Sequence, residues 1–524
     1  MKRIDPAPPW HALLAIVLIA LTGSTVRAQQ TAWPDNSPLQ RFDYSARAAE
    51  GDDVDEKEGD GEEGEKSDDE EKTDAVAELN KSLEKLDKRV AELEELPDAI
   101  EELEEGLDDL AGDKTIVHSG SSASTMKVVG RVHVDAWTFP ENDADIDTLE
   151  GGPNGPQARL GFRRMRFGVR GDLTSNMEYR IEMEFAGGNN AEFRDAWLGW
   201  NEIPVFQTVL LGNQKRPYGL DHLNSSRFNV FMERPYVIEG FNQDARRLGL
   251  VSYQTYGDDR WAFTSGIYNQ RLIQDEGNYV NDNLQLEFAN RLANCFWYDE
   301  VSGGRGYGHW AISHSYASPD GDPGGDVAGT GPFANETRFR HRPEARSANR
   351  WLDTGRIDGT DHYHLLGLEN AWNFGPLQVV GEYQNIWLSR DAGAGPDLFF
   401  WGGYVYAAYF LTGEHMPWKR SAGTIDRIKP FENFFLVDKC CGGVGRGWGA
   451  WQVAARYSYA DFNSGDIFGG IGESLTLGLN WYWTANSRMQ FNYIHGQITD
   501  NRVSRGVPLS GQYDILGARF MVDF

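Results

Sequence analysis

From Lys127 to Phe524, hydrophobic and polar residues alternate in short runs separated by turn-forming residues. The clearest pair is Arg159–Arg170 and Glu178–Phe185. Met165, Phe167 and Val169 share one side of the first run, opposite Arg164, Arg166 and Arg170. In the second, Tyr179, Ile181, Met183 and Phe185 oppose Glu178, Arg180, Glu182 and Glu184. Successive side chains of a strand point to opposite faces, so this period predicts strands with one apolar and one polar face. In a soluble sheet the apolar face is the core. In a transmembrane barrel it meets lipid and the polar face lines the lumen. Alternation by itself allows both.

The same texture recurs at 128–136, 205–213, 248–256, 261–268, 310–316, 363–372, 377–387, 402–411, 450–459, 474–483, 489–498 and 513–524. Short turns such as 256–259, 373–376 and 484–487 intervene, with long polar insertions near 319–360 and 414–449. Short turns at one end and long loops at the other are the layout of an outer-membrane barrel, although 414–449 fits that order poorly. In the last run Leu516, Ala518, Phe520, Val522 and Phe524 share a face, and the chain ends on Phe. Such an ending resembles the C-terminal signal of bacterial outer-membrane proteins. The 17 Trp and 21 Tyr suit the aromatic girdles of a membrane barrel.

The first 126 residues read differently. Residues 1–28 have a basic start, an apolar run from Leu13 to Leu21 and a Val26-Arg27-Ala28 cleavage site, as in a secretory signal. Residues 29–75 form a linker whose acidic runs predict disorder. Over 76–111, Val76, Leu79, Leu83, Leu86, Val90 and Leu93 keep coiled-coil spacing, broken near Pro97 and resumed at Ile100, Leu103, Leu107 and Leu110. Of the net charge of −29, −18 lies in residues 1–127. The acidic total therefore says little about the surface of the barrel. Three cysteines, Cys295, Cys440 and Cys441, leave at least one thiol without a partner inside the chain.

Several segments together, in order, resemble the phosphate-selective porin O/P family. They are Gly161–Gly171, Glu178-Tyr179-Arg180 with Phe185, Leu211–Leu220, Asn224–Arg227, Phe231–Arg234, Arg246–Gly249, Tyr409–Glu414 and Arg427–Pro430. The resemblance covers 127–524 and implies an all-β, sixteen-stranded antiparallel transmembrane barrel, trimeric, with an inward-folded third loop and a basic channel. It implies a bacterial outer-membrane porin for passive diffusion of small anions such as phosphate, not an enzyme, and without cofactor, metal or nucleic-acid partner.

The expected anion-binding or pore-lining residues are Arg164, Arg166, Arg170, Lys215, Arg216, Arg227, Arg234, Arg246 and Arg247. Arginine suits the task because its planar, permanently charged donors replace part of an anion's hydration. Glu178, Glu182, Glu184 and Glu233 are the counterweight, since pairing would weaken the field. A general, weakly selective porin therefore stays open as a reading, as does a structural tether that joins the barrel to cell-wall components through the coil. His362 and His364 share a strand face, which suits lumen polar residues better than a metal pair. Asp143, Asp145, Asp147 and the 320–326 run read as solvated acidic loops; the closing Glu of a calcium loop is missing. The spacing carries no nucleophile elbow, phosphate loop or metalloprotease helix.

Overall fold

A computed structural model describes residues 124–524, apart from 153, 188–190, 243–244, 271–283, 320–334, 436, 439–442 and 503–505. The signal, the linker, the coiled coil, Cys440, Cys441 and the 320–326 acidic run lie outside the described residues.

Sixteen antiparallel strands close into one barrel. They are β1 (Lys127–Asn142), β2 (Arg159–Thr174), β3 (Met177–Glu184), β4 (Glu192–Ile203), β5 (Gln207–Lys215), β6 (Arg246–Tyr256), β7 (Trp261–Asn269) and β8 (Leu286–Tyr298). The second half comprises β9 (Gly306–Ala317), β10 (Thr360–Phe374), β11 (Leu377–Arg390), β12 (Leu398–Phe410), β13 (Ala450–Ser464), β14 (Ile467–Thr484), β15 (Ser487–Asn501) and β16 (Leu509–Asp523). Each strand pairs with its neighbour in sequence, and β16 pairs with β1 through Arg131 opposite Asp523 and Val134 opposite Phe520. Closure removes the sheet edges that lipid could not satisfy. At the seam, Gly130 and Phe524 exchange backbone hydrogen bonds at 2.8 and 3.1 Å.

The alternation resolves as the membrane reading requires. Phe162, Phe167, Leu250, Ile267, Leu477 and Leu516 are exposed on the outer wall. Arg131, Glu182, Glu287, Arg291, Gln452 and Arg519 are buried inside. This inversion of a soluble core is what a hydrocarbon surround demands. Strands β4 and β8 were not marked by the alternation. In β8, Ala289 and Ala293 are buried on the inner face, so apolar residues fall on both sides. In β4, a register shift against β3 breaks the period.

The chain fixes which rim each connection occupies. Turns 175–176, 204–206, 257–260, 299–305, 375–376 and 485–486 lie at the rim where β1 begins and β16 ends. The 411–449 segment, joining β12 to β13, belongs to the same rim. In an outer-membrane barrel that rim is periplasmic. The opposite rim carries the 216–245 loop and the 318–359 insertion, among others.

Two loops fold into the lumen from above. The 216–245 loop holds two short helices, α1 (Leu220–Leu223) and α2 (Tyr236–Phe241). Buried Tyr236, Val237, Ile238 and Phe241 pack with Phe339 of the upper insertion and Phe462 of β13. Fully burying each such side chain is worth about 1.5–3 kcal/mol, enough to hold a loop away from its rim.

Two expectations need adjustment. His362 and His364 do not face the lumen. Unbroken alternation from His362 to Phe374 puts both on the side of Leu366, Leu368 and Trp372, outward beside His314 and Tyr316 of β9. His314 Nε2 is 3.1 Å from His364 Nδ1. Asp143 and Asp145 are not merely solvated: their carboxylates accept the backbone N–H groups of Gln512 and Ser510 at 2.7 and 2.9 Å, tying the first upper connection to β16. Among the described residues, Cys295 is a buried free thiol.

Candidate functional site: an arginine-lined lumen

The inner wall over β1–β6 concentrates basic residues for a geometric reason. Directly opposed positions of neighbouring strands share a face. Arg131 faces Arg166 across β1 and β2, and Arg170 faces Arg180 across β2 and β3. Like charges so placed repel, and buried carboxylates offset the repulsion. Glu182 accepts from Arg131 at 3.3 Å, Arg166 at 3.1 Å and Arg180 at 2.6 Å. Glu184 accepts from Arg166 at 2.7 Å. Asp195 takes both arms of Arg246 at 2.8 and 2.9 Å.

Two β-bulges add charge to this face. The β1–β2 register shifts at His133/Val134, placing Arg163 and Arg164 together opposite one interval of β1. Arg163 then grips Glu233 of the inward loop with two bonds, at 2.6 and 2.9 Å. The β3–β4 shift does the same for Arg194 and Asp195; Arg194 meets Glu192 at 2.8 Å. A bulge opposes two residues to one and re-aims a side chain.

A third element enters from the periplasmic rim. Residues 415–427 turn up into the lumen, where Trp418 packs against inward-facing Tyr307 and His309. Arg291 donates to the carbonyls of Ala422 and Gly423 at 3.1 and 2.8 Å. At its top this segment meets the upper loop: Ile425 N–H donates to Asn224 Oδ1 at 3.0 Å. Beside that contact Asp523 of β16 forms an ion pair with Arg227 of the upper loop at 3.2 Å and accepts from Arg427 of the lower segment at 2.5 Å. One wall carboxylate thus joins two loops that arrive from opposite ends.

The nine expected residues divide. Arg166, Arg227 and Arg246 belong to the network just described, and Arg170 is exposed beside it. Lys215 and Arg234 instead build the loop. Lys215 Nζ donates to the carbonyls of His222, Leu223 and Asn224 at 2.8, 2.7 and 2.9 Å. Those are the end carbonyls of α1, and the three bonds use all three ammonium protons. Arg234 donates to the carbonyls of Asp221 and Asn224 and pairs with Glu239 at 3.1 Å. Arg164, Arg216 and Arg247 are buried in wall contacts: Arg216 pairs with Glu287 at 2.7 Å, Arg247 donates to Gln270 O at 2.5 Å, and Arg164 lies 3.4 Å from His133 Nδ1.

The other end of α1 is held from across the barrel. Glu382 of β11 accepts the N–H groups of Leu220 and Asp221 at 2.8 and 2.6 Å. Gly219 permits this approach: its φ is +52° and a Cβ there would fall 2.4 Å from Glu382 Oε2. The loop is pinned on both walls.

Sequence reasoning missed Arg131, Arg163, Arg180, Arg194, Arg427 and Asp523. Parity marked Arg180 as polar-facing, but it was not carried into the site. Arg163 and Arg194 needed the bulges, which leave no mark in the alternation. Arg427 and Asp523 are brought in by long-range closure.

A closed sixteen-strand barrel, apolar outside and lined inside by charged side chains and inward-folded loops, is the architecture of an outer-membrane porin. The model of the family "Phosphate-selective porin O and P" matches residues 127–524, and the chain belongs to that family. A protein of Caulobacter vibrioides described as uncharacterized is 26% identical over 420 residues, spanning 77% of this chain and 75% of its own. Among solved structures, OmpT, an outer membrane protein of Vibrio cholerae, matches 77% of this chain and 100% of its own at 12% identity and a TM-score of 0.46. An anion-selective porin from Comamonas acidovorans matches 76% and 100% at 13% identity and a TM-score of 0.42. The protein is thus a non-catalytic channel protein of the bacterial outer membrane.

Proposed function

We propose that the channel is a general porin for small solutes with a weak preference for anions, rather than a pore dedicated to phosphate. The observation that carries this reading is the order of burial within the ion pairs of Glu182 and Asp523. Arg180 is 23% exposed while Glu182 behind it is 1% exposed. Arg427 and Arg227 are 26% and 18% exposed, against 2% for Asp523. Water in the lumen therefore meets guanidinium groups first, with their carboxylates set back against the wall. A paired guanidinium keeps spare N–H donors for a passing anion. The paired carboxylates cancel much of the long-range field, so binding is shallow, which permits release as well as capture.

A dedicated phosphate site would need donors free of internal partners. Arg166 and Arg246 both spend bidentate or multiple bonds on protein carboxylates. The heptad seam at 76–110 adds a periplasmic coiled coil, and a three-stranded coil would suit a trimer of barrels. The test is competition. Chloride conductance in a planar bilayer is titrated with millimolar phosphate at constant ionic strength. A general porin keeps its chloride current; a saturable block by phosphate would restore the dedicated reading.

A further inference from the structure

The 411–449 segment has a second half that the lumen does not use. After Arg427 the chain passes the periplasmic rim and forms a hairpin against the outside of the wall. Phe434 N–H donates to Trp483 O at 2.7 Å, and Phe435 N–H donates to Gly447 O at 3.2 Å. Trp483 sits at the register shift between Tyr482 and Thr484, where the β14–β15 ladder skips a residue. Phe434 also packs edge-on against Trp481, with ring centroids 4.6 Å apart. Trp451 and Trp481 alternate with buried Gln452 and Asn480 and so face outward. Their indole N–H groups donate to Trp448 O at 3.2 and 2.8 Å.

This arrangement leaves apolar surface in the open. Trp448 is 76% exposed, Val444 58% and Phe435 54%. Exposed Arg446 stands among them. A solvated turn gains nothing from such residues, and a patch of this kind marks an interaction surface. Its occupant follows from continuity. The hairpin adjoins the apolar outer wall at the level of Trp481 and Trp483, whose neighbour Phe520 belongs to the last lipid-facing run. Aromatic rings with one apolar and one polar end, beside an arginine whose stem can lie along apolar surface, match the boundary between acyl chains and headgroups.

We propose that this hairpin is a membrane anchor, inserting Phe435, Val444 and Trp448 into the phospholipid leaflet at the periplasmic rim. Arg446 then meets headgroup phosphate. The segment is a hook with two ends: one fixes the lower lumen through Arg427 and Asp523, the other holds the bilayer.

The test is depth measurement by spin labels in the full-length protein in phospholipid vesicles. Nitroxides are placed at Phe435→Cys and Trp448→Cys, with Cys440 and Cys441 changed to Ser. Val453→Cys on the outer wall is the lipid reference, and Asn486→Cys in a periplasmic turn is the aqueous reference. Collision rates with oxygen and with a water-soluble nickel chelate are compared. Insertion predicts an oxygen-to-nickel ratio at both hairpin sites close to that at Val453 and several-fold above that at Asn486. A ratio equal to that at Asn486 overturns the anchor. Low collision with both agents also overturns it, and would assign the patch to contact between copies of the chain. Neither result depends on selectivity, so the pore reading stands or falls separately.

Discussion

Replacing Lys215 with Met should loosen the inward loop without removing a pore charge. The side chain keeps an unbranched apolar stem one atom shorter, but three carbonyls at the end of α1 lose their donor. A hydrogen bond involving a charged group contributes about 1.5–3 kcal/mol net, and an abandoned buried acceptor costs about 1–3 kcal/mol. The three bonds are not additive, and Arg234 still donates to Asn224 O at 3.2 Å. Allowing for both, local stability should fall by about 3 kcal/mol. The amides that report it are Leu223 N–H, bonded to Gly219 O at 3.2 Å, and Asn224 N–H, bonded to Leu220 O at 2.8 Å. Since each 1.4 kcal/mol is tenfold, their hydrogen exchange should quicken by about two orders of magnitude. Amides in the β7–β8 ladder around Ala262 and Ala293, which pair with each other and not with the loop, should not change. The variant should show noisier conductance with little change in reversal potential. Unchanged exchange at both amides, together with a lost anion preference, would refute the reasoning and return Lys215 to the ion path.

Glu182→Gln removes the carboxylate shared by Arg131, Arg166 and Arg180. A unit charge about 7 Å from an ion in water is worth about 0.6 kcal/mol, so zero-current potentials should report a two- to three-fold rise in anion preference. Asp523→Asn releases Arg227 and Arg427 together, and single-channel records should show added fluctuation as the two loops part. Gly130→Val places a side chain where a Cβ already falls 2.4 Å from the Phe524 ring, so closure at the seam should fail. Heat-modifiable migration on gels would then be lost. The isolated 76–110 peptide should sediment as an oligomer; a monomer at high concentration would remove the coil's role in assembly.

Fold class was legible because a barrel strand repeats one local rule. Residues at i and i+2 share a surrounding, so Met165, Phe167 and Val169 announced the lipid face without any knowledge of their neighbours. The site was less legible because its energetics are non-local. Nothing near Lys215 in the chain shows that its ammonium caps a helix, and nothing near Asp523 shows that it bridges two loops. Bulges compound the difficulty. At Arg163 and Arg194 a single extra residue reverses the parity on which the reading rests, and only the partner strand decides where that residue goes. His362 and His364 needed no bulge: they share the side of Leu366, Leu368 and Trp372, and polar residue type outweighed that parity in the reading. The 411–449 insertion resisted placement because it serves two surfaces: Trp418 looks into the lumen and Phe434 onto the outer wall.

The reversal potential of the wild-type channel across a tenfold potassium chloride gradient bears most directly on the pore. Perfect selectivity would give about 59 mV. Exposed guanidinium groups backed by buried carboxylates predict anion sign and a modest value, about 10–30 mV, well short of that limit. A potential of cation sign would contradict the account, because the carboxylates would then dominate the field that ions meet. A value near the limit would contradict it as well, because the internal pairing would not be weakening the arginines.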